Sequence, residues 1–158
     1  DSGNTRFFMR MPKRVIGLWC LSQEKMIQDA LNNTMLISPP KKYDVLNWLT
    51  GQEYIYDIDS ASGWDNGPLG SCISTEITFG AVSIFLPGIA EKIADIYNGD
   101  FYFAFPSQHA VMVHNIEKTD PEMIKNSISH LTSDRSEDFL SYHVFRFFRR
   151  IGEAEMIS

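Results

Sequence analysis

The residues best placed to do chemistry in this chain are Ser107 and His109, two apart in Phe105-Pro106-Ser107-Gln108-His109. A nucleophilic serine needs a base within hydrogen-bonding reach and a third group that orients the base. Asp100 and His114 are the nearest titratable groups in the chain, and spacing alone puts neither beside His109. The nucleophile elbow of α/β-hydrolases reads Gly-x-Ser-x-Gly between a strand and a helix, whereas Phe-Pro-Ser-Gln-His lies between two runs that read as strands. The pair is a candidate hydrolytic site without its companions. The competing expectation is a serine that caps a turn and a histidine that bonds a backbone carbonyl.

Other patterns invite chemistry and fall short of it. Ser22 and Lys25 spell Ser-x-x-Lys, the acyl-enzyme signature of penicillin-binding proteins, but the accompanying motifs are missing and a helix cap accounts for Ser22. Asp57, Asp59 and Asp65 flank a polar stretch, yet an EF-hand loop would need glycine at its sixth position and glutamate at its twelfth, where the chain has Ser62 and Pro68. His114, His130 and His143 are dispersed, with no pair four residues apart on a helix. No metal and no cofactor is expected. Arg146, Arg149 and Arg150, with Arg6, Arg10, Lys13 and Arg14 near the other end, would form a basic surface for an acidic partner or a nucleic-acid backbone if the terminal strands were neighbours. Solvated strand faces explain the same charges. Phe145, Phe147 and Phe148 read as core, since RNP-type motifs are absent.

The elements that must position these residues centre on Phe79 to Ile116, which reads as strand, helix, strand, turn, strand. Pro87 suits a first helical turn, Ile89, Ala90, Ile93, Ala94, Ile96 and Tyr97 make an apolar face, and Gly99 is expected to take the left-handed residue that ends the helix. Phe101 to Phe105 and Ala110 to Ile116 read as antiparallel strands, and Gly80 as a bulge or a close backbone approach. Upstream, Arg6 to Arg10 reads as an edge strand and Val15 to Leu21 as a buried strand. A helix from Gln23 to about Asn33 follows, capped by Ser22 and burying Met26, Ile27, Ala30 and Leu31. Pro39-Pro40 opens a further helix containing Val45, Leu46, Trp48 and Leu49, stopped by Gly51, before a strand from Tyr54 to Ile58.

Asp59 to Ser71 is the one long polar loop, holding Trp64 and four turn-forming Gly and Pro residues, and a loop of that length in a compact domain is either mobile or used for binding. Cys72 to Thr75 reads as a short strand forming a hairpin with Phe79. Asp120 or Thr119 caps a helix with Pro121 first and Met123, Ile124, Ile128 and Leu131 inward; Asp134 to Leu140 gives another turn or two. Val144 to Ile151 and Ala154 to Ile157 are the last strands. The sum is an α+β fold, an antiparallel sheet with helices packed mainly on one face, in a single domain over 1–158.

Composition agrees with that: 158 residues suit one core, and 44% hydrophobic with 22% charged residues is globular. The net charge of −6 opposes nonspecific attraction to nucleic acid or anionic lipid. Cys20 and Cys72 lie in apolar contexts and read as two buried reduced thiols of a cytosolic protein, although spacing does not exclude a disulfide between them. No apolar run reaches bilayer length. A chain that begins at Asp1 is expected to be the C-terminal part of something longer.

The segments Leu18-Trp19, Phe79 to Ala94, Gly99 to His109 and Ser136 to Phe147 resemble the C-terminal part of an uncharacterised family of bacterial, often gut-anaerobe, proteins known as a domain of unknown function. The most specific matches are Gly80-Ala81, Pro87-Gly88, Pro106-Ser107 with His109, and Leu140-Ser141 with His143-Val144. The resemblance implies a shared fold and a bacterial cytoplasmic setting, and brings no activity with it. The family pattern runs from its histidine into an acidic residue where this chain has Ala110, so the likeness favours a shared recognition surface over shared catalysis. The resulting expectation leans away from an enzyme. It is a protein-binding or regulatory domain with an unknown protein partner, using Asp59, Trp64 and Asp65 on the loop and Ser107 and His109 on the turn. A hydrolase at Ser107 and His109 is the alternative, and nucleic-acid binding through Arg146, Arg149 and Arg150 the third reading.

Overall fold

The structure, a computed structural model, describes residues 12–44, 55–60, 64, 70–75, 79–131 and 138–158. At its centre is the expected hairpin of β4 (Phe101–Ser107) and β5 (Ala110–Asn115), paired from Phe101↔Asn115 to Ala104↔Met112. β3 (Ser71–Ser74) lies against β5, and β6 (Val144–Phe148) against β4. With β1 (Lys41–Asp44), β2 (Ile55–Asp57) and β7 (Glu153–Met156), these strands make an antiparallel sheet in the order β2-β1-β3-β5-β4-β6-β7.

The fold is α+β, with most helices on one face. Ile73, Val111, Val113, Phe101, Phe103 and Phe147 face a core built with Ile84 of a 3-10 helix (Gly80–Phe85), Ile89 and Ile93 of α3 (Ile89–Ile96), and Leu31 and Met35 of α2 (Gln23–Ile37). On the other face Cys72, Ala104, Ala110, Met112 and Val144 meet Ile124 and Ile128 of α4 (Pro121–Leu131). Coverage on both faces is why β4 and β5 read as unbroken apolar runs rather than as alternation.

Several expectations are corrected. The apolar run after Phe79 is a 3-10 helix and not a strand, and Cys72 to Thr75 makes no hairpin with it, since β3 pairs with β1 and β5. A short apolar run does not separate the two conformations by period. Here the Ser83 hydroxyl donates to the Gly80 carbonyl, and Phe79 takes a left-handed φ of 71°, both of which bend the chain out of a strand. Val15 to Leu18 forms the end of a short helix, α1 (Lys13–Leu18), entered from an extended Pro12, with Trp19 to Leu21 beyond it, and Leu18, Trp19 and Leu21 are exposed. Cys20 is exposed as well, at a φ of 52°; both cysteines are free.

Ser22 does cap α2, accepting from Lys25 N at 3.2 Å, but no α2 residue is fully buried and Ile27 is exposed. Lys41–Asp44 after Pro39-Pro40 is a strand, so no helix starts there; Val45 to Gly51, like Arg6 to Arg10, lies outside the described residues. In α4, Asp120 accepts from Met123 N at 2.9 Å, while Met123 itself faces solvent.

The α3 helix shows how turn chemistry sets its ends. Ile89 N donates to Leu86 O at 3.1 Å, and Gly88 has φ 76° and ψ 0°, so Leu86-Pro87-Gly88-Ile89 is a type II turn with Pro87 before the helix rather than inside it. At the other end Asn98, not Gly99, is left-handed; Gly99 N reaches Ala94 O at 3.0 Å and Asn98 N reaches Asp95 O at 3.1 Å, a Schellman pair.

Gly80 is a close approach, as expected. A Cβ there would stand 1.9 Å from Ser74 Oγ and 2.4 Å from the His109 carbonyl oxygen. We predict that Gly80→Ala lowers stability by about 2 kcal/mol or more, because backbone and not only a flexible side chain must move. Urea unfolding followed by circular dichroism measures it, and an unchanged midpoint would show that the 3-10 helix does not pack as described.

Candidate functional site

Pro106 decides where Ser107 and His109 point. Without an N–H to offer the ladder, it sits where the β4–β5 register shifts between Ala104 and Ser107. Beyond that shift the chain pairs with a later segment: Ser107 bridges Phe139, Gln108 N donates to Asp138 O at 2.9 Å, and Ser141 N donates to Phe105 O at 3.2 Å. This brings the Asp138 carboxylate to 3.4 Å from His109 Nε2. Gln108 Nε2 also donates to Asp138 Oδ1, and Phe79 stacks on the His109 ring with centroids 6.3 Å apart.

A base with an orienting carboxylate therefore exists, but Ser107 does not complete a triad. Its Oγ accepts from His109 N at 3.2 Å, a cap on the turn, and the imidazole nitrogen nearest a partner faces Asp138. The His109 carbonyl accepts from Ser74 Oγ at 2.6 Å, tying the turn to β3. Asp100 and His114 are elsewhere. Asp100 accepts from Arg146 Nε and Nη2 at 3.1 and 2.6 Å and from Arg149 N at 3.0 Å. Burial pushes its carboxyl up, but these hydrogen bonds and the Arg146 charge outweigh that and hold it below the usual range.

The loop residues separate. Asp59 pairs with Lys92, whereas Trp64 is buried: its Nε1 donates to Ile58 O at 3.3 Å and its ring meets Tyr97 edge-on at 5.8 Å. Trp64 is core, because an indole with its N–H satisfied gains more from apolar neighbours than from water. Asp65 lies outside the described residues. Of the three C-terminal arginines, Arg146 is spent on Asp100 and Arg149 on Asp95 at 2.9 Å, while Arg150 is exposed with no ion pair among the described residues. Among the described residues no group of three His, Cys, Asp or Glu side chains could hold a metal ion. No helix there is long and apolar enough to cross a membrane.

Two buried polar residues escaped the sequence reading. Lys42 is fully buried on β1, with Nζ 3.1 Å from Ser60 O and 4.6 Å from the Trp64 ring centre; desolvation lowers its pKa to about 8. The Pro39-Pro40 signal hid it, because a helix assigned there leaves Lys42 on a solvated turn. His114, also fully buried, has no hydrogen-bond partner for either ring nitrogen among the described residues, and Gly70 presses so close that a Cβ there would lie 2.5 Å from Nδ1. The thiol of Cys72, on the same sheet face, is pushed up to about 12 by burial, which leaves it inert as a nucleophile.

The structure also holds a groove of about 330 Å³ between the 3-10 helix, the start of α3 and the β6–β7 hairpin. Ile84, Leu86, Phe103 and Phe147 line it from the core, with Gln28 and Glu91 from α2 and α3 and Gly152 and Ala154 from the hairpin. Exposed Phe85 stands beside it, stacked on Phe105 at 5.8 Å. Comparison with protein-family models, curated proteins and solved structures finds no match to this chain.

Burial lowers the His114 pKa from the usual 6.5 to about 4. Between those values the unfolded chain takes up a proton that the folded chain refuses. Stability is therefore complete above about pH 6.5 and falls as pH drops toward 4, by up to about 1.4 kcal/mol per pH unit. We predict that His114→Leu flattens the loss between pH 7 and 4.5 by about 2 kcal/mol in urea titrations. Equal acid sensitivity of the two proteins would show that His114 is not the group responsible.

Proposed function

We propose that this chain is a non-enzymatic protein-binding domain. The groove beside Phe85 supports that reading most: it is open to the surface, apolar at its floor, and bordered by polar groups that would orient a ligand. The bacterial cytoplasmic setting implied by the family resemblance belongs to the same proposal. The turn at Ser107 to His109 offers a second, smaller contact surface, with the exposed Phe79 ring lying over a half-exposed imidazole.

A hydrolase is the second reading, and the observation that favours it is the His109–Asp138 contact at 3.4 Å. What stands against it is Ser107, whose oxygen is occupied by the His109 amide rather than aligned with the ring. Attack would require that cap to open first.

Panning a phage-displayed random peptide library against the whole protein tests the binding reading. We predict enrichment of sequences whose affinity falls at least tenfold in Ala154→Trp, a substitution on an exposed strand that fills the groove without touching the core. Enriched peptides that bind this variant as well as the parent would sink it. So would esterase, phosphatase or nuclease turnover abolished by Ser107→Ala or His109→Ala, which would install the hydrolase in its place.

A further inference from the structure

β7 ends the sheet. It pairs with β6 through Phe145↔Met156, Arg146↔Glu155, Phe147↔Ala154 and Phe148↔Glu153, and among the described residues no strand lies on its outer side. All four of its residues are exposed, so it offers a free row of backbone donors and acceptors. Side chains on a strand alternate between faces. Ala154 and Met156 therefore share the face of Phe145 and Phe147, where the groove opens, while Glu153 and Glu155 share the face of Arg146 and Phe148.

The charges on the two faces decide what such an edge accepts. Among the described residues Glu153 and Glu155 have no ion-pair partner, although Arg146 stands directly opposite Glu155, because that guanidinium is held by Asp100 and lies 4.8 Å from the Phe148 ring centre. Glu91, at the groove, has none there either. A second copy of this chain, adding β7 to β7 antiparallel, would set glutamates against glutamates on one face. Like charges facing one another across strands are unfavourable. A partner with lysine or arginine at alternate positions turns the same glutamates into ion pairs at the rim of the interface.

We propose, building on the binding reading above, that β7 and the groove together receive an extended segment of a partner protein in which apolar and basic residues alternate. The segment adds as an eighth strand beside β7. Its apolar side chains cover Ala154 and Met156, one of them entering the groove toward Phe147, and its basic side chains meet Glu153 and Glu155 on the opposite face. Main-chain bonds supply affinity, and the alternation supplies register and selectivity.

Fluorescence anisotropy with labelled seven-residue peptides tests this on the whole protein. The peptides are Lys-Val-Lys-Val-Lys-Val-Lys, its counterpart with glutamate for lysine, a version of the same composition with the valines in one block, and an alternating version N-methylated at every second residue. We expect the alternating basic peptide to bind at least tenfold tighter than each of the others, the gap to the glutamate peptide shrinking at 0.5 M salt. Glu153→Lys with Glu155→Lys should reverse that preference, and amide shifts in NMR should centre on 153–156. Equal binding of the glutamate, block or N-methylated peptides would overturn the strand-addition proposal. So would a dimer that these peptides do not dissociate. Peptides from the library that are blocked by Ala154→Trp yet indifferent to charge and N-methylation would leave the groove as a binding site and sink only the added strand; no peptide binding at all would sink both.

Discussion

The missing side chain of Gly80 is the constraint on which the arrangement rests. Where a Cβ would stand, Ser74 Oγ, the His109 carbonyl and Thr75 N already occupy the space. That approach lets Ala81 N donate to Gln108 O at 3.2 Å and leaves Ser74 Oγ its 2.6 Å bond to His109 O. Three chain segments distant in sequence thus share one small contact: the end of β3, the start of the 3-10 helix, and the turn between β4 and β5. The 3-10 helix seated by this contact carries Ile84 into the core and leads directly into the Leu86-Pro87-Gly88-Ile89 turn that opens α3. The groove is a product of that seating, since Ile84, Leu86 and Ala90 all follow from it.

Against this tight packing Lys42 and His114, two of the buried polar residues, are compensated to different degrees. Lys42 keeps a carbonyl partner and an aromatic face, so its ammonium loses water but not every favourable field. His114 is handled by staying neutral, since among the described residues nothing accepts its N–H and nothing donates to its other nitrogen. An uncharged imidazole without partners costs about 1–3 kcal/mol, and an imidazolium in the same place far more. The sheet face shared by His114, Met112 and Cys72 is consequently a region of inert packing and not of reactivity, despite holding a thiol and an imidazole.

The hairpin Phe101 to Asn115 was legible in the sequence because strands covered on both faces have no polar positions to confuse the period. The α3 helix was legible because its apolar face and its stop lie within one short window. What escaped was set by contacts between distant residues. The run after Phe79 has the composition of a strand, but Phe79 is left-handed, the Ser83 hydroxyl holds the Gly80 carbonyl, and Ser74 and His109 come up against Gly80, so the segment is a 3-10 helix. Val15 to Leu21 has the apolar density of a buried strand, but density carries no direction, and the structure turns Leu18, Trp19 and Leu21 to solvent. At the site, Ser107 and His109 were named with the cap reading alongside, and the cap is what Ser107 does. Asp138 was beyond reach, since its approach to His109 depends on the register shift at Pro106 and on a bridge to Phe139 that no local spacing encodes.

The basic residues near the C-terminus make the same point about charge. Counted along the sequence, Arg146, Arg149 and Arg150 look like a cationic patch; in the fold, Asp100 and Asp95 absorb two of them, and the carboxylates left over are Glu153 and Glu155. Glutamates on an exposed edge strand make pairing with a second copy of the same strand unfavourable, because like charges would face one another. Asp100 sits at the hinge of this argument. Its two oxygens gather Arg146 and the Arg149 backbone at the β6–β7 turn, so the same carboxylate that fixes the hairpin also holds the guanidinium that stands opposite Glu155.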